Sequence, residues 1–201
     1  MKRLLLLWLG LITWALAFAQ SEGPPPPPRW EVSVQAGQYP ASLITPRFGA
    51  LRPGVGVNML RRWNSNPKHQ LVQQATLDLV FHRQVQNALR LYTEAGYRFQ
   101  ADNGLQIAPL MLGGGYVLSM VQMTTLAPDE NGSYQVQNFP LRHNWLISLG
   151  PDLGYRWANA RAGRGLALGL SYRIQVQGTF IQQTVPMIAY APLWLRLTLP
   201  F

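Results

Sequence analysis

Three histidines, His69, His82 and His143, are the side chains of this 201-residue chain best suited to general-base chemistry. An imidazole activates a hydroxyl or a water only when a nucleophile or an orienting acid lies within hydrogen-bond reach. His143 is followed by Asn144 and Trp145, so no serine stands two positions on. Ser148 takes the opposite phase if the stretch alternates as a strand. Asp129, Glu130 and Ser133 fall in a polar segment whose path the sequence does not show. Two histidines near one another are too few for a metal site, and the absence of cysteine removes disulfides and thiolate ligands. Gly113-Gly-Gly115 and Gly163-Arg-Gly165 lack the strand-to-helix setting and the lysine of a phosphate-binding loop. No catalytic, metal-binding or cofactor-binding set is therefore expected.

The charged residues carry a clearer signal. They make up 12% of the chain, about half of the ~25% usual in soluble domains. The net charge of +9 comes mostly from single arginines scattered between apolar positions. No basic cluster or aromatic-interleaved patch is present, so nucleic acid is not an expected partner. Beyond the N-terminus no apolar run approaches the ~18 residues of a membrane helix. Sparse charge without long apolar runs fits strands that are apolar on one side.

Eight such strands are legible by their period of two, near 30–37, 54–63, 71–83, 88–100, 105–121, 141–157, 166–177 and 191–201. The seventh sets Leu166, Leu168, Leu170, Tyr172, Ile174 and Val176 against Ser171, Arg173, Gln175 and Gln177. The second is apolar at Val55, Val57, Met59 and Trp63, broken by Arg61. The fifth is apolar on both faces, and Gly113–Gly115 is the expected place for a phase-switching bulge. Asn64-Ser-Asn-Pro-Lys68 and Asp102-Asn-Gly104 read as turns. Longer connections are expected between strands one and two, across residues 122–140, and from Thr179 to Pro186. Ahead of the strands, Lys2 and Arg3 precede an apolar run and Ala17-Phe18-Ala19, the pattern of a cleaved signal peptide. Pro24 to Pro28 then form a stiff spacer. The expected organisation is a signal peptide over 1–19, a proline-rich spacer over 20–29 and a β-domain over 30–201.

The chain ends on Leu193, Leu195, Leu197, Leu199 and Phe201, an unbroken apolar face opposite Trp194, Arg196 and Thr198. This ending resembles the C-terminal signature of bacterial outer-membrane β-barrels, with Leu199 where that family often has tyrosine and a penultimate Pro200. The resemblance implies a closed antiparallel up-and-down transmembrane β-barrel of about eight strands in the outer membrane. It also implies that these five residues form the signal read by the barrel-assembly machinery. Outer-membrane lipids, that machinery and periplasmic chaperones would be the partners, and the oligomeric state stays open.

Alternation alone does not say which face points inward, and a soluble periplasmic ligand-binding barrel would place the apolar face inside. The opposing face carries Arg62, Arg90, Arg98, Arg142, Arg156, Arg173 and Arg196 with Glu31, Asp78, Glu94 and Asp152. Such a set suits a narrow lumen in which charges pair. With an even strand count, Trp30, Trp63, Tyr97, Phe99, Tyr155, Trp157 and Phe201 collect on the apolar phase at one rim. An aromatic girdle at a lipid–water boundary has this form.

Eight strands enclose an interior that side chains nearly fill, which excludes a wide diffusion pore. The expected role is non-catalytic: structural, adhesive, or passing very small or apolar solutes. The resemblance leaves an alternative, because some small outer-membrane barrels deacylate or acylate lipopolysaccharide. That activity needs a histidine with a serine or an acid near the outer rim. His82 and His143 are expected there, and His69 at the opposite end.

Overall fold

Among the described residues the alternating segments become twelve β-segments. They are β1 (Trp30–Gln38), β2 (Pro53–Arg62), β3 (His69–Val80), β4 (Gln86–Gln100), β5 (Leu105–Val121) and β6 (Thr125–Pro128). There follow β7 (Tyr134–Gln137), β8 (Leu141–Arg156), β9 (Ala167–Tyr172), β10 (Ile174–Ile181), β11 (Val185–Tyr190) and β12 (Leu193–Pro200). This computed structural model describes residues 30–40, 52–81, 86–121, 125–128, 133–137, 141–157, 166–181 and 185–200. The expected signal peptide and spacer, His82, Asp129 with Glu130, Gly163–Gly165 and Phe201 lie outside the described residues.

The segments build a closed antiparallel barrel of eight staves. Six are β1, β2, β3, β4, β5 and β8, each paired to the next. The seventh is β9 with β10, broken at Arg173, and the eighth is β11 with β12, broken at Ala191-Pro192. Closure is made by β8 on β9 and by β12 on β1, where Glu31 faces Pro200 and Gln38 faces Leu193. The two breaks sit side by side, and the Arg173 amide donates to the Pro192 carbonyl at 3.0 Å. Proline has no amide hydrogen to continue the ladder, so the eighth stave bends there. On the other side of Arg173, a β-carbon at Gly150 would lie 2.1 Å from the Tyr172 carbonyl oxygen. Only glycine lets β8 pass that close.

Side chains alternate across the wall. Val34, Val57, Leu77, Leu91, Ile147, Leu170 and Leu195 are 43–57% exposed on the outer surface. Glu31, Ser33, Gln74, Asp78, Glu94, Ser148, Arg173 and Gln175 are buried inside. A soluble barrel has the reverse arrangement. The wall is also uneven in height: β1 has 9 residues, whereas β4, β5 and β8 have 15, 17 and 16. At ~3.3 Å per residue β1 is about 30 Å long and β4, β5 and β8 about 50–56 Å, and the tilt of barrel strands makes the wall lower than these lengths.

Three expectations are corrected. The phase switch in β5 is at Pro109 and Leu110, which both point outward between inward Ala108 and Met111. Proline cannot donate to the ladder, so the extra residue is accommodated there. Gly113 and Gly115 instead keep regular register opposite Glu94 and Tyr92. A β-carbon at either would press into the β4 backbone, 1.8 Å from the Thr93 oxygen or 2.2 Å from the Leu91 oxygen. Second, the connection expected over 179–186 shrinks to 182–184, because β10 runs to Ile181 and β11 begins at Val185. Third, the segment 122–140 is no plain loop, because β6 and β7 pair within it as a hairpin.

Candidate functional site: the polar lumen

The inward phase brings nearly all the charges of the strands into one narrow space. At the end holding Trp30 and Pro200, the terminal rim, Glu31 of β1 accepts two bonds from Arg98 of β4, at 2.9 and 3.0 Å. Arg156 of β8 lies 2.7 Å from the same carboxylate. Further in, Asp152 takes Arg173 at 2.5 Å and Arg196 at 2.9 Å. Arg173 also donates through Nε to both oxygens of Glu94, at 2.9 and 3.1 Å. Ser148 donates to Glu94 at 2.5 Å, and the Gln74 amide donates to it as well. Higher still, Arg90 Nε donates to Asp78 at 2.7 Å, and its Nη1 reaches Gln175 at 2.8 Å. Gln175 donates to Ser148 at 3.2 Å, which joins the Asp78 and Glu94 groups into one network.

Buried charge is tolerated only where partners satisfy it, and arginine's planar fork serves two acceptors at once. Arg173 does so here by bridging Glu94 and Asp152. Between the Glu31 and Asp152 groups lies a cavity of about 20 Å3, lined by Glu31, Ser33, Arg98, Asp152, Arg196 and Thr198 among others. It has room for about one water.

Aromatic side chains close the lumen beyond Asp78. Trp194, only 1% exposed, lies across β1 and β2. β-Carbons at Gly37 and Gly54 would stand 2.5 and 2.9 Å from its ring. Tyr39 meets Trp194 edge-on at 5.0 Å and Tyr190 at 6.3 Å. The Arg90 guanidinium lies 4.0 Å over the Tyr39 ring, and Tyr39 donates to Asp78 at 3.4 Å. Gln86 donates to the Tyr190 hydroxyl at 3.0 Å. Tyr39 fell in the loop expected after the first strand and Tyr190 just ahead of the expected eighth strand, and both went unrecognised in the sequence. The readable signal was Trp194 on the polar phase of the last strand, facing a glycine-rich β2.

The remaining predicted residues are placed as follows. Arg62 is buried in the lumen near the terminal rim, and Arg142 is half-buried toward the opposite end. Trp30, Trp63, Tyr97, Tyr155 and Trp157 are exposed on the outer face, and Phe99 is half-buried beside them. The registers Trp30–Arg61, His69–Phe99 and Leu105–Tyr155 set them at one rim. Leu195 and Leu199 are exposed on the outer face, and Leu193 and Leu197 half-exposed. His69 bonds the Tyr97 hydroxyl at the terminal rim. His143 is exposed on the outer face, bonded to the Tyr116 hydroxyl, while Ser148 points into the lumen. The wall of the barrel thus separates that histidine from that serine. Among the described residues no group of three or more metal-ligating side chains forms.

No protein-family model matches the sequence, and no curated protein matches it. Solved structures do match in fold. Neisserial surface protein A aligns with a TM-score of 0.52 at 12% identity, covering 89% of this chain and 100% of that one. The outer-membrane enzyme PagL aligns at 0.45 with 14% identity, covering 83% and 97%. The attachment invasion locus protein Ail of Yersinia pestis aligns at 0.44 with 9% identity, covering 87% and 97%. The chain is an eight-stranded antiparallel β-barrel resembling small bacterial outer-membrane proteins.

Proposed function

We propose that this chain is an integral outer-membrane β-barrel that is non-catalytic, closed to solutes, and structural or adhesive in role. The observation that carries this reading is the filled lumen: three ion-paired tiers capped by Tyr39, Tyr190 and Trp194, with a cavity of about 20 Å3. The outward leucines, valines and isoleucines supply the apolar surface that a bilayer covers. Residues 1–19 direct export, Leu193 to Phe201 engage the assembly machinery, and Trp30, Trp63, Tyr97, Phe99, Tyr155 and Trp157 sit at one lipid–water boundary. On the opposite side, the tall β5–β8 wall carries the β6–β7 hairpin outward. An adhesive role would place its contacts there.

Conductance in a planar bilayer tests the closed lumen. The expected record shows no steps above the bare bilayer for the inserted wild-type protein. Regular single-channel steps would establish a pore in its place.

A further inference from the structure

Arg61 differs from the other charged side chains of the barrel wall. It follows Val55, Val57 and Met59 on the outward phase of β2, whereas the paired acids and arginines of the wall face inward. Its guanidinium is held between two indoles, 4.1 Å from the Trp63 ring and 5.3 Å from the Trp30 ring. Its Nε is covered and lacks a hydrogen-bond partner, and the side chain makes no ion pair among the described residues. In register it stands between Trp30 of β1 and Gln73 of β3. Gln73 bonds Thr93, so a short polar row crosses β2, β3 and β4 just inside the terminal rim.

A cation on an otherwise apolar outer face is costly unless an anion meets it. The two indoles fix the guanidinium plane and shield it from water, which leaves its Nη groups to find acceptors. A phosphate matches that fork with two parallel bonds. Resting on the membrane reading above, we infer that Arg61, clamped by Trp30 and Trp63, binds the headgroup phosphate of a glycerophospholipid in the leaflet at the terminal rim. Gln73 adds a neutral polar group beside it. The site orders one lipid against β2 and fixes the depth of the short wall, where few residues are available to span the bilayer.

Dephasing of guanidino-13C arginine by lipid 31P in the solid-state NMR of full-length protein tests this, in phosphatidylglycerol–phosphatidylethanolamine vesicles. Wild type is expected to show a dephased fraction larger than Arg61→Gln by one arginine's share. Trp63→Leu keeps the charge and is expected to lose most of that difference. Equal curves for wild type and Arg61→Gln, with both inserted and heat-modifiable, would overturn the site and leave the barrel reading intact. Dephasing at Arg61 seen only after lipopolysaccharide is added would assign the phosphate to that lipid and overturn the phospholipid. Wild type that fails to insert would overturn both readings together.

Discussion

Leu170 and Ser171 are neighbours on β9, yet the leucine is 45% exposed on the outer wall and the serine 3% exposed in the lumen. The outer wall asks only that side chains be apolar, so Leu, Val, Ile, Met and aromatic residues serve in no particular order. The inner wall is held by named partners: Asp78 with Arg90, Glu31 with Arg98 and Arg156, and Arg173 with Glu94 and Asp152. One side depends on its solvent and the other on its contacts. Substitutions on the two sides should therefore fail for different reasons and by different amounts.

The largest effect is expected inside. Asp78→Ala removes the only carboxylate paired with Arg90 among the described residues, and the Arg90 side chain is 3% exposed. Breaking a buried pair in this way costs about 3–5 kcal/mol. The urea midpoint of the detergent-folded barrel should fall accordingly, and Asp78→Leu with Arg90→Met should recover a large part of it. A double variant no better than the single would show that the pair is not what holds this tier.

A charge on the outer wall ranks next. On the proposed membrane reading, Leu170→Lys and Leu195→Lys each cost about 2–4 kcal/mol of folding into a bilayer. Ser171→Lys, which faces the polar lumen opposite Asp152 in register, should cost less. Vesicle folding titrations check the order, and a harmless Leu170→Lys beside a severe Ser171→Lys would reverse the assignment of the two walls.

Crowding the plug comes third. Gly54→Val pushes methyl groups toward Trp194 and Tyr39, where a β-carbon alone already stands 2.9 Å away. Overpacking of this kind costs about 1–3 kcal/mol. Tryptophan emission and the unfolding midpoint should shift together, and an unchanged midpoint would mean that Trp194 has room to move.

The smallest effect belongs to an ion pair outside both walls. Lys68 and Asp102 lie 2.7 Å apart in the terminal turns, with both side chains at least half exposed. Solvent-exposed pairs are worth about 0–1 kcal/mol. Lys68→Ala should leave the unfolding midpoint nearly unchanged, in contrast to Asp78→Ala at a similar separation.

Much of the two-wall pattern was legible in the sequence, because strict alternation marks a strand whatever it pairs with. The seven arginines and four acids on the polar phase could be assigned to one side without knowing their partners. Partner choice was not legible. That Arg173 spans Glu94 and Asp152 depends on the shear of the closed sheet and on the bend at Arg173 and Pro192, which no local period records. The bulge was misplaced because three glycines are the louder signal. Pro109, which lacks the ladder donor, is the residue that forces it. The plug stayed hidden for a related reason. Tyr39 and Tyr190 follow the end of one strand and close another beside proline, positions that read as loop until Trp194 is seen to cover them. For His143, the opposite phase of Ser148 was legible from alternation, and the fold shows the consequence, with the wall between the two.

Whether the outer wall lies in lipid is tested most directly by site-directed labelling, which is clean because the chain has no cysteine. Single cysteines at Val34, Val57, Leu77, Leu170 and Leu195, and at the rim positions Trp63, Phe81 and Trp157, can carry spin labels on the folded, vesicle-inserted protein. Collision rates with oxygen and with a water-soluble nickel chelate then report depth. With the outer wall in lipid, oxygen collision is high and nickel collision low at the five mid-wall sites, with the ratio falling toward both rims. Nickel collision as strong at Leu170 and Val57 as at Trp63 would place the outer wall in water and contradict the membrane reading.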